Sequence, residues 1–421
     1  MAALTIADFT PALKVISEKL SVVQYDRNPV WALIPKQTTF GGRFVSIPLR
    51  YSNAPDGSAD DTVAFSTTVS GQASYTEFQL TPGQDYARSL LRGVTMAVSE
   101  GDKNAVITAM KATTQAMQNT AARSIGSMTF GNGDAIRGVA PKGGTGVTLS
   151  DPQQIVNFEV GMRLNLAVSD ASNAGLVYSG GTTYVTITSV NRSTGYIGWT
   201  TDISSGPWTN YAGATNLYLI RQGDVTNSGT AVTGQLLPKG IAGWVPYAAP
   251  GTGNVPAAWF SVTRTTDLTR LGGLRYTGGG APPEETLIRA AALIEREGGM
   301  ADTCAVNTAD FADLQLSRES KVVITADAGG KSKVSFTAIS VSTGYGKDIK
   351  VLPDVNCPKG KFHILQLDTW KFRSAGKYMA LVNADGNSIL RQAGADAYEM
   401  RLAGYGQFSC DAPGWNLAGT W

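Results

Sequence analysis

The chain has 421 residues, of which 43% are hydrophobic and 16% are charged, and its formal net charge is +2. The near-neutral charge excludes a uniformly basic nucleic-acid-binding protein, so any contact with DNA must be local. The length allows two or three domains, and the low charge is typical of a protein that buries surface against its own copies. No apolar run approaches the roughly 18 residues of a membrane span, and the first residues lack the features of a signal peptide.

Residues 1–27 carry an apolar stripe with gaps of three and four residues. The stripe is made by Ile6, Phe9, Leu13, Ile16, Leu20 and Val23. This spacing predicts an amphipathic helix that begins near Pro11 with Thr10 as its N-cap. Two interpretations stay open: a helix packed on its own domain, or an arm that lies on a neighbouring subunit.

Residues 41–82 alternate in polarity and predict a long β-hairpin. Phe44–Leu49 is the outgoing strand and Tyr75–Leu80 is the return. A two-stranded hairpin is marginally stable alone, so this one is expected to need a partner surface. The residues predicted to make the inter-subunit contact lie at its polar tip: Asn53, Pro55, Asp56, Gly57, Asp60 and Asp61.

A long helix is predicted over residues 99–130. Ser99 and Asp102 resemble a capping box, apolar residues follow at helical spacing, and Gly131 ends the element. Its charged residues after Asp102 are only basic: Lys103, Lys111 and Arg123. Two interpretations stay open: these side chains form the solvated side of the helix, or they face DNA if the protein encloses any.

The composition changes over residues 145–225, since no Lys occurs between Lys142 and Lys239. Short β-rich runs such as Tyr184–Thr188 and Leu217–Ile220, separated by turns, predict a small all-β barrel or sandwich. Its Trp and Tyr residues either fill the barrel core or stack on sugars; the core is the simpler interpretation, because half of strand positions face inward.

The last third of the chain predicts an α+β domain. A helix is expected from Pro282 to Gly298, then a strand over Thr303–Val306 and a second helix from Asn307 or Thr308. Two late strands follow, Ile349–Leu352 and Phe362–Leu365, with a turn between them.

The sequence offers little catalytic chemistry. The single histidine, His363, lies on an apolar strand, where we expect it on an exposed sheet face, and no nucleophile motif accompanies it. Cys304, Cys357 and Cys410 lack metal-ligand spacing and are expected to be buried and reduced. We therefore predict no enzyme activity, no catalytic, cofactor or metal site, and no bound cofactor.

Three stretches, in this order, resemble tailed-phage major capsid proteins of the Hong Kong 97 (HK-97) type fold: Thr269–Gly280, Ala292–Leu314 and Gly344–Gly376. The resemblance implies an α+β capsid fold with an inserted all-β barrel or sandwich. It also implies these divisions: an N-terminal arm (1–40), an extended hairpin loop (41–85), a peripheral domain with its spine helix (86–144, helix 99–130), an inserted β-rich domain (145–225), an axial domain (226–345), and peripheral and axial return strands with the C-terminus (346–421).

The function implied is that of a major capsid protein, located in the virion and made in the cytoplasm of a host bacterium. Copies would assemble as hexamers and pentamers into an icosahedral shell that encloses double-stranded DNA and contacts it without sequence specificity. Separate scaffold, portal and decoration proteins would be the other partners, and no membrane is involved. The alternative is another β-rich virion component, a tail or decoration protein with a carbohydrate-binding insertion.

Two features depart from some members of that family. No Lys lies between Lys36 and Lys103, so a hairpin lysine is not available for an isopeptide crosslink. The arm-like helix also comes almost at once, so we expect no long charged scaffolding segment before it.

Overall fold

The computed structural model describes residues 28–53, 59–64, 73–93, 103–170, 175–177, 184–205, 208–228, 231–316, 324–326, 336–342, 347–383, 390–392 and 394–421. The predicted arm helix, the tip residues Pro55, Asp56 and Gly57, and the capping box of the long helix lie outside these residues. The side chains of Lys103 and Lys111 also lie outside the description.

The α-helices of the described residues are α1 (Pro29–Leu33), α2 (Asp61–Ala64), α3 (Lys103–Phe130), α4 (Ile241–Trp244), α5 (Pro283–Arg296) and α6 (Thr308–Leu316). The strands are β1 (Lys36–Gln37), β2 (Val45–Ser52), β3 (Ser74–Leu80), β4 (Gly83–Arg92), β5 (Ile136–Pro141), β6 (Gly146–Thr148), β7 (Arg163–Ala167), β8 (Tyr184–Asn191), β9 (Tyr196–Trp199), β10 (Asn216–Arg221), β11 (Val225–Ser228), β12 (Ala231–Gln235), β13 (Ala258–Trp259), β14 (Val262–Thr263), β15 (Leu274–Thr277), β16 (Thr303–Val306), β17 (Ile324–Ala326), β18 (Phe336–Val341), β19 (Ile349–Pro353), β20 (Lys361–Leu365), β21 (Trp370–Ser374), β22 (Ala380–Leu381), β23 (Leu390–Arg391), β24 (Ala397–Cys410) and β25 (Leu417–Thr420).

The long helix α3 packs on a sheet with the order β1-β21-β24-β22, in which β4 and β23 also pair with β24. The predicted helix is confirmed, and its apolar stripe, with Met117 and Ile125, lies in one core with Phe372 and Phe408 of the sheet. Helix α3 is held closely at Gly126, where a Cβ atom would come within 2.4 Å of the Asn28 side chain. Asn28 in turn donates to the carbonyl of Ala122 at 3.0 Å.

The predicted hairpin is confirmed as the antiparallel pair β2–β3, with Val45 opposite Leu80 at its base and Arg50 opposite Tyr75 further out. Only Thr81 and Pro82 separate β3 from β4. The hairpin therefore leaves the body of the protein at the edge of the sheet that α3 covers.

A second sheet has the order β5-β10-β7-β8-β9-β6, and its own core includes Phe158, Trp199 and Leu217. Its all-β character is as predicted, although its first strand begins at Ile136, before the predicted boundary. The Ser150 amide donates to the Val139 carbonyl at 2.8 Å, so the two end strands of this sheet lie side by side. The domain divisions themselves remain predictions.

A third sheet, β15-β25-β20-β16-β19-β18-β17, carries α5 and α6. Helix α5 begins one residue after the predicted Pro282, which is its N-cap, and is followed by Gly298 with φ of +83°. The two late strands β19 and β20 lie on either side of β16 and do not pair with each other. The α+β architecture is confirmed.

Candidate assembly interface

One face of the hairpin is built into the body of the protein. Ile47 and Phe78 are buried, and the Phe78 ring meets the Trp244 ring edge-on at 5.0 Å between centroids. The Gln79 amide donates to the Phe260 carbonyl at 3.0 Å. Phe260 has a positive φ in the tight turn between β13 and β14, and this turn presents its carbonyl to β3. The base of the hairpin is therefore fixed by its own chain.

The opposite face of the hairpin is exposed: Ser46, Pro48, Arg50, Tyr75 and Glu77. Tyr75 exposes 68% of its surface, which is high for a tyrosine in a strand. The Glu77 carboxylate accepts from Gln79 Nε2 at 3.1 Å and from Ser46 Oγ at 2.7 Å, and these bonds lower its pKa. Hydrogen bonds thus link the two strands on this face, and the described part of the chain leaves it exposed.

The described tip residues Asn53, Asp60 and Asp61 are all exposed. Asp60 Oδ1 accepts from the Thr62 amide at 2.9 Å and from Thr62 Oγ1 at 2.6 Å, and this Asx-type turn orders the chain at α2.

A groove of about 590 Å³ is lined by residues of the outer half of β2 and by Trp415. Arg270 crosses this groove and donates from Nη1 to the Tyr51 carbonyl at 2.8 Å.

A buried ionic cluster joins the second sheet to the body of the protein. Arg137 and Asp224 lie 2.8 Å apart (Nη2 to Oδ2), and their side chains are 2% and 3% exposed. Arg221 bonds Asp224 and also Asp85 of β4, at 2.6 Å to the latter. Arg137 Nη2 lies 3.2 Å from Ser124 Oγ of α3. The cluster therefore ties β5 and β10 to both the long helix and the strand that follows the hairpin.

Burial and charge act in opposite directions within this cluster. Burial lowers the pKa of Arg137. Burial also acts to lower the pKa of Arg221. The negative charges of Asp85 and Asp224 act more strongly in the other direction, so the pKa of Arg221 is raised. These residues are not predicted from the sequence, because Arg137 lies 87 positions from Asp224 and Arg221 lies 136 positions from Asp85. A signal in the sequence is that Arg137 lies shortly before the predicted β-rich segment and that Arg221 and Asp224 lie at its end.

Among the three residues predicted to face DNA, Arg123 is the one whose side chain the structure describes. Its guanidinium lies 2.6 Å from the Glu159 carboxylate and is 16% exposed. Glu159 also pairs with Arg192 at 2.8 Å. The positive charge of Arg123 is thus directed at the β-rich sheet and shared with its acidic partner.

The expectation that His363 is exposed is wrong. Strand β20 runs inside the third sheet between β25 and β16, and the histidine is completely buried with its Nε2 atom 2.7 Å from Tyr247 Oη. Burial lowers its pKa to about 3, so it is neutral at physiological pH. Alternation along a strand places His363 on the face opposite to Phe362 and Ile364. Both faces of this sheet are covered, so the histidine is buried as well.

The three cysteines are free and buried, as expected, and burial raises the pKa of Cys410 to about 12. Within the described residues no group of His, Cys, Asp and Glu side chains could hold a metal ion. The same residues include no helix long and apolar enough to cross a membrane.

The aromatic residues of the second sheet belong mostly to its core. Trp199 is buried and donates from Nε1 to the Gly144 carbonyl at 2.9 Å, and Trp208 and Tyr211 pack against the same core. Tyr196 is 37% exposed. An array of exposed rings for stacking on sugars is not present among the described residues of this sheet.

No protein-family model matches the chain, and no curated protein matches it. Among solved structures it is similar to the capsid asymmetric unit of cyanophage A-1(L), with 10% identity and a TM-score of 0.47 over 91% of this chain and 89% of that chain. It is also similar to the capsid of the native GTA particle, with 9% identity and a TM-score of 0.43 over 93% and 89% of the two chains. A third similar structure, of Mycobacterium phage Bobi, has 10% identity and a TM-score of 0.38 over 93% and 90%.

Proposed function

We propose that this chain is the major capsid protein of a tailed bacteriophage, whose copies form the hexamers and pentamers of an icosahedral shell around double-stranded DNA. The observation that carries the proposal is the hairpin β2–β3. Its base is anchored in the core, while its outer face and the described tip residues Asn53, Asp60 and Asp61 are exposed. The subunit's own core covers one face of the hairpin, and a second copy is the natural cover for the exposed face that carries Tyr75. Heterologous contacts of this kind close into rings.

The order of elements supports the same proposal. A hairpin leads within two residues into a sheet that packs on a 28-residue helix, followed by a β-rich sheet and an α+β unit. This order is the one that the sequence resemblance to HK-97 type capsid proteins implies. The inter-subunit contact would be made by the hairpin tip, with Asn53, Asp60 and Asp61 next to Pro55, Asp56 and Gly57. The protein would reside in the virion after synthesis in the host bacterium.

The self-assembly is tested by light scattering of the purified protein across salt and protein concentration, alone and with any scaffold protein. The expected result is large, uniform particles. Deletion of residues 53–61 should reduce assembly while the subunit stays folded, because the anchoring residues Ile47 and Phe78 lie outside the deleted segment. A wild-type protein that stays monomeric under all conditions would contradict the proposal.

For the packaged DNA we propose phosphate contacts from Lys103 and Lys111 of α3, with Arg123 at the end of this basic series. Such contacts carry no sequence information and weaken with salt. The double variant Lys103→Gln, Lys111→Gln should bind duplex DNA less tightly at low salt, with a shallower salt dependence. Lys350→Gln, at an exposed position on β19, is the matched control. Equal binding by the double variant and the control would remove α3 from the DNA-facing surface.

A further inference from the structure

One face of the sheet formed by β4 and β24 is exposed over most of its length, although Glu399 on the same face is buried. In this antiparallel pair Arg401 is opposite Arg88, and Ala403 is opposite Tyr86. Side chains that alternate along a strand share a face, so Tyr86, Arg88 and Leu90 lie together with Arg401 and Tyr405. All five are exposed. We refer to these five residues as the Arg–Tyr patch.

The two tyrosines of the Arg–Tyr patch hold each other in place. The Tyr86 hydroxyl lies 3.1 Å from the Tyr405 hydroxyl, and the rings meet edge-on with centroids 5.9 Å apart. They remain 52% and 41% exposed, beside Leu90 at 41%. Tyr and Arg are the residue types enriched in the energetically dominant centres of protein interfaces. The patch therefore has the composition of a protein-binding surface.

The two arginines of the patch are placed unfavourably in the free subunit. Like charges directly opposite each other on neighbouring strands destabilise the pair. Arg401 is paired with Glu399 of its own strand, whereas Arg88 forms no ion pair with the described residues. An additional carboxylate above this pair would offset the repulsion.

We infer that the Arg–Tyr patch receives the acidic hairpin tip of a second copy of this chain, an inference that rests on the proposed function. Residues 51–74 contain three Asp and no Lys or Arg. Two of these, Asp60 and Asp61, are exposed at the start of α2. The charges of tip and patch are thus complementary, and the tyrosines and Leu90 supply the contact area of an interface between proteins. The docked tip relieves the Arg88–Arg401 repulsion, which makes assembly dependent on salt.

The test uses charge reversal in the full-length chain. Arg88→Glu with Arg401→Glu reverses the patch, and Asp60→Lys with Asp61→Lys reverses the tip. At low salt each reversal should raise the protein concentration needed for assembly by about tenfold or more, the scale of a single lost charge contact of moderate strength. The combination of both reversals should restore assembly towards wild type. Lys350→Glu is the control, and circular dichroism of each variant monitors folding.

Restoration by the combined reversals would establish the contact between tip and patch. If wild type assembles and the patch reversal assembles equally well, the inference fails while the proposed capsid function stands. If the patch reversal leaves assembly intact and lowers only the binding of duplex DNA, the occupant is DNA and the inference is likewise overturned. If wild type does not assemble under any condition, the proposed function fails first.

Discussion

Arg137 and Asp224 form an ion pair from which solvent is almost completely excluded, at the point where the second sheet joins the long helix. Charges in such a place stabilise the fold only while both partners are present, because each alone would be buried without compensation. The pair is thus a fixed junction between two parts of the chain that lie far apart in sequence.

Replacing Asp224 by Ala should lower the free energy of unfolding of the subunit by about 3–5 kcal/mol, since Arg137 then stays buried without its carboxylate. Urea unfolding followed by tryptophan fluorescence measures this loss. Arg289→Ala is the control, because Arg289 and Glu285 form an exposed pair on α5 that should contribute no more than about 0.5 kcal/mol. Equal losses in the two variants would contradict the role of the junction.

Substitutions on the two faces of the hairpin should have different effects: those on the buried face should lower subunit stability, and those on the exposed face should reduce assembly. Phe78→Ala removes a fully buried ring and is expected to cost about 3–5 kcal/mol. Tyr75→Ala removes an exposed ring three residues away and should change the free energy of unfolding by no more than about 0.5 kcal/mol, yet reduce assembly. The measurements are urea unfolding and light scattering of the same preparations. Normal assembly of the Tyr75 variant would mean that the outer face of the hairpin is not an interface.

Much of this fold is readable from the sequence, because local patterns determine it. The long helix, the hairpin, the all-β segment and strand β16 follow from periodicity, turn residues and caps. The fate of individual polar side chains does not follow, because it depends on tertiary partners. Alternation placed His363 on an open face, whereas β25 and β16 enclose its strand and Tyr247 covers it. The sequence predicts Arg123 as a basic residue of the long helix. It does not predict the ion pair with Glu159, because Glu159 lies outside this helix.

The buried histidine predicts a specific response to acid. Its folded-state pKa of about 3 lies below the ordinary value of 6.5, so the unfolded chain takes up the proton first. Its stabilising contribution is complete above pH 6.5 and is lost progressively as the pH falls towards 3. At about 1.4 kcal/mol for each pKa unit, the two units between the unfolded-state pKa and pH 4.5 should shrink the stability advantage of wild type over His363→Gln by about 3 kcal/mol between pH 7.5 and pH 4.5.

Since His363 is the single histidine of the chain, its imidazole NMR signal is unambiguous. The folded subunit should show no titration of this signal between pH 7.5 and pH 4.5. A midpoint near pH 6.5 in the folded protein would show that the side chain is accessible to water and would contradict the buried arrangement.

The assembled particle should be held together without covalent crosslinks. The hairpin lacks Lys, and burial raises the thiol pKa values of the three cysteines, which are therefore poorly reactive. Boiling in detergent without reductant should give monomers at 44.2 kDa. Ladders of linked subunits that persist with reductant would overturn this prediction.

The central claim is that copies of this chain close into a shell through the hairpin, and cryo-electron microscopy of the purified protein tests it most directly. The account predicts closed icosahedral particles of hexamers and pentamers, in which the outer face of β2–β3 lies on a neighbouring subunit. Fibres, free monomers, or a particle in which the hairpin tip contacts only its own chain would contradict it.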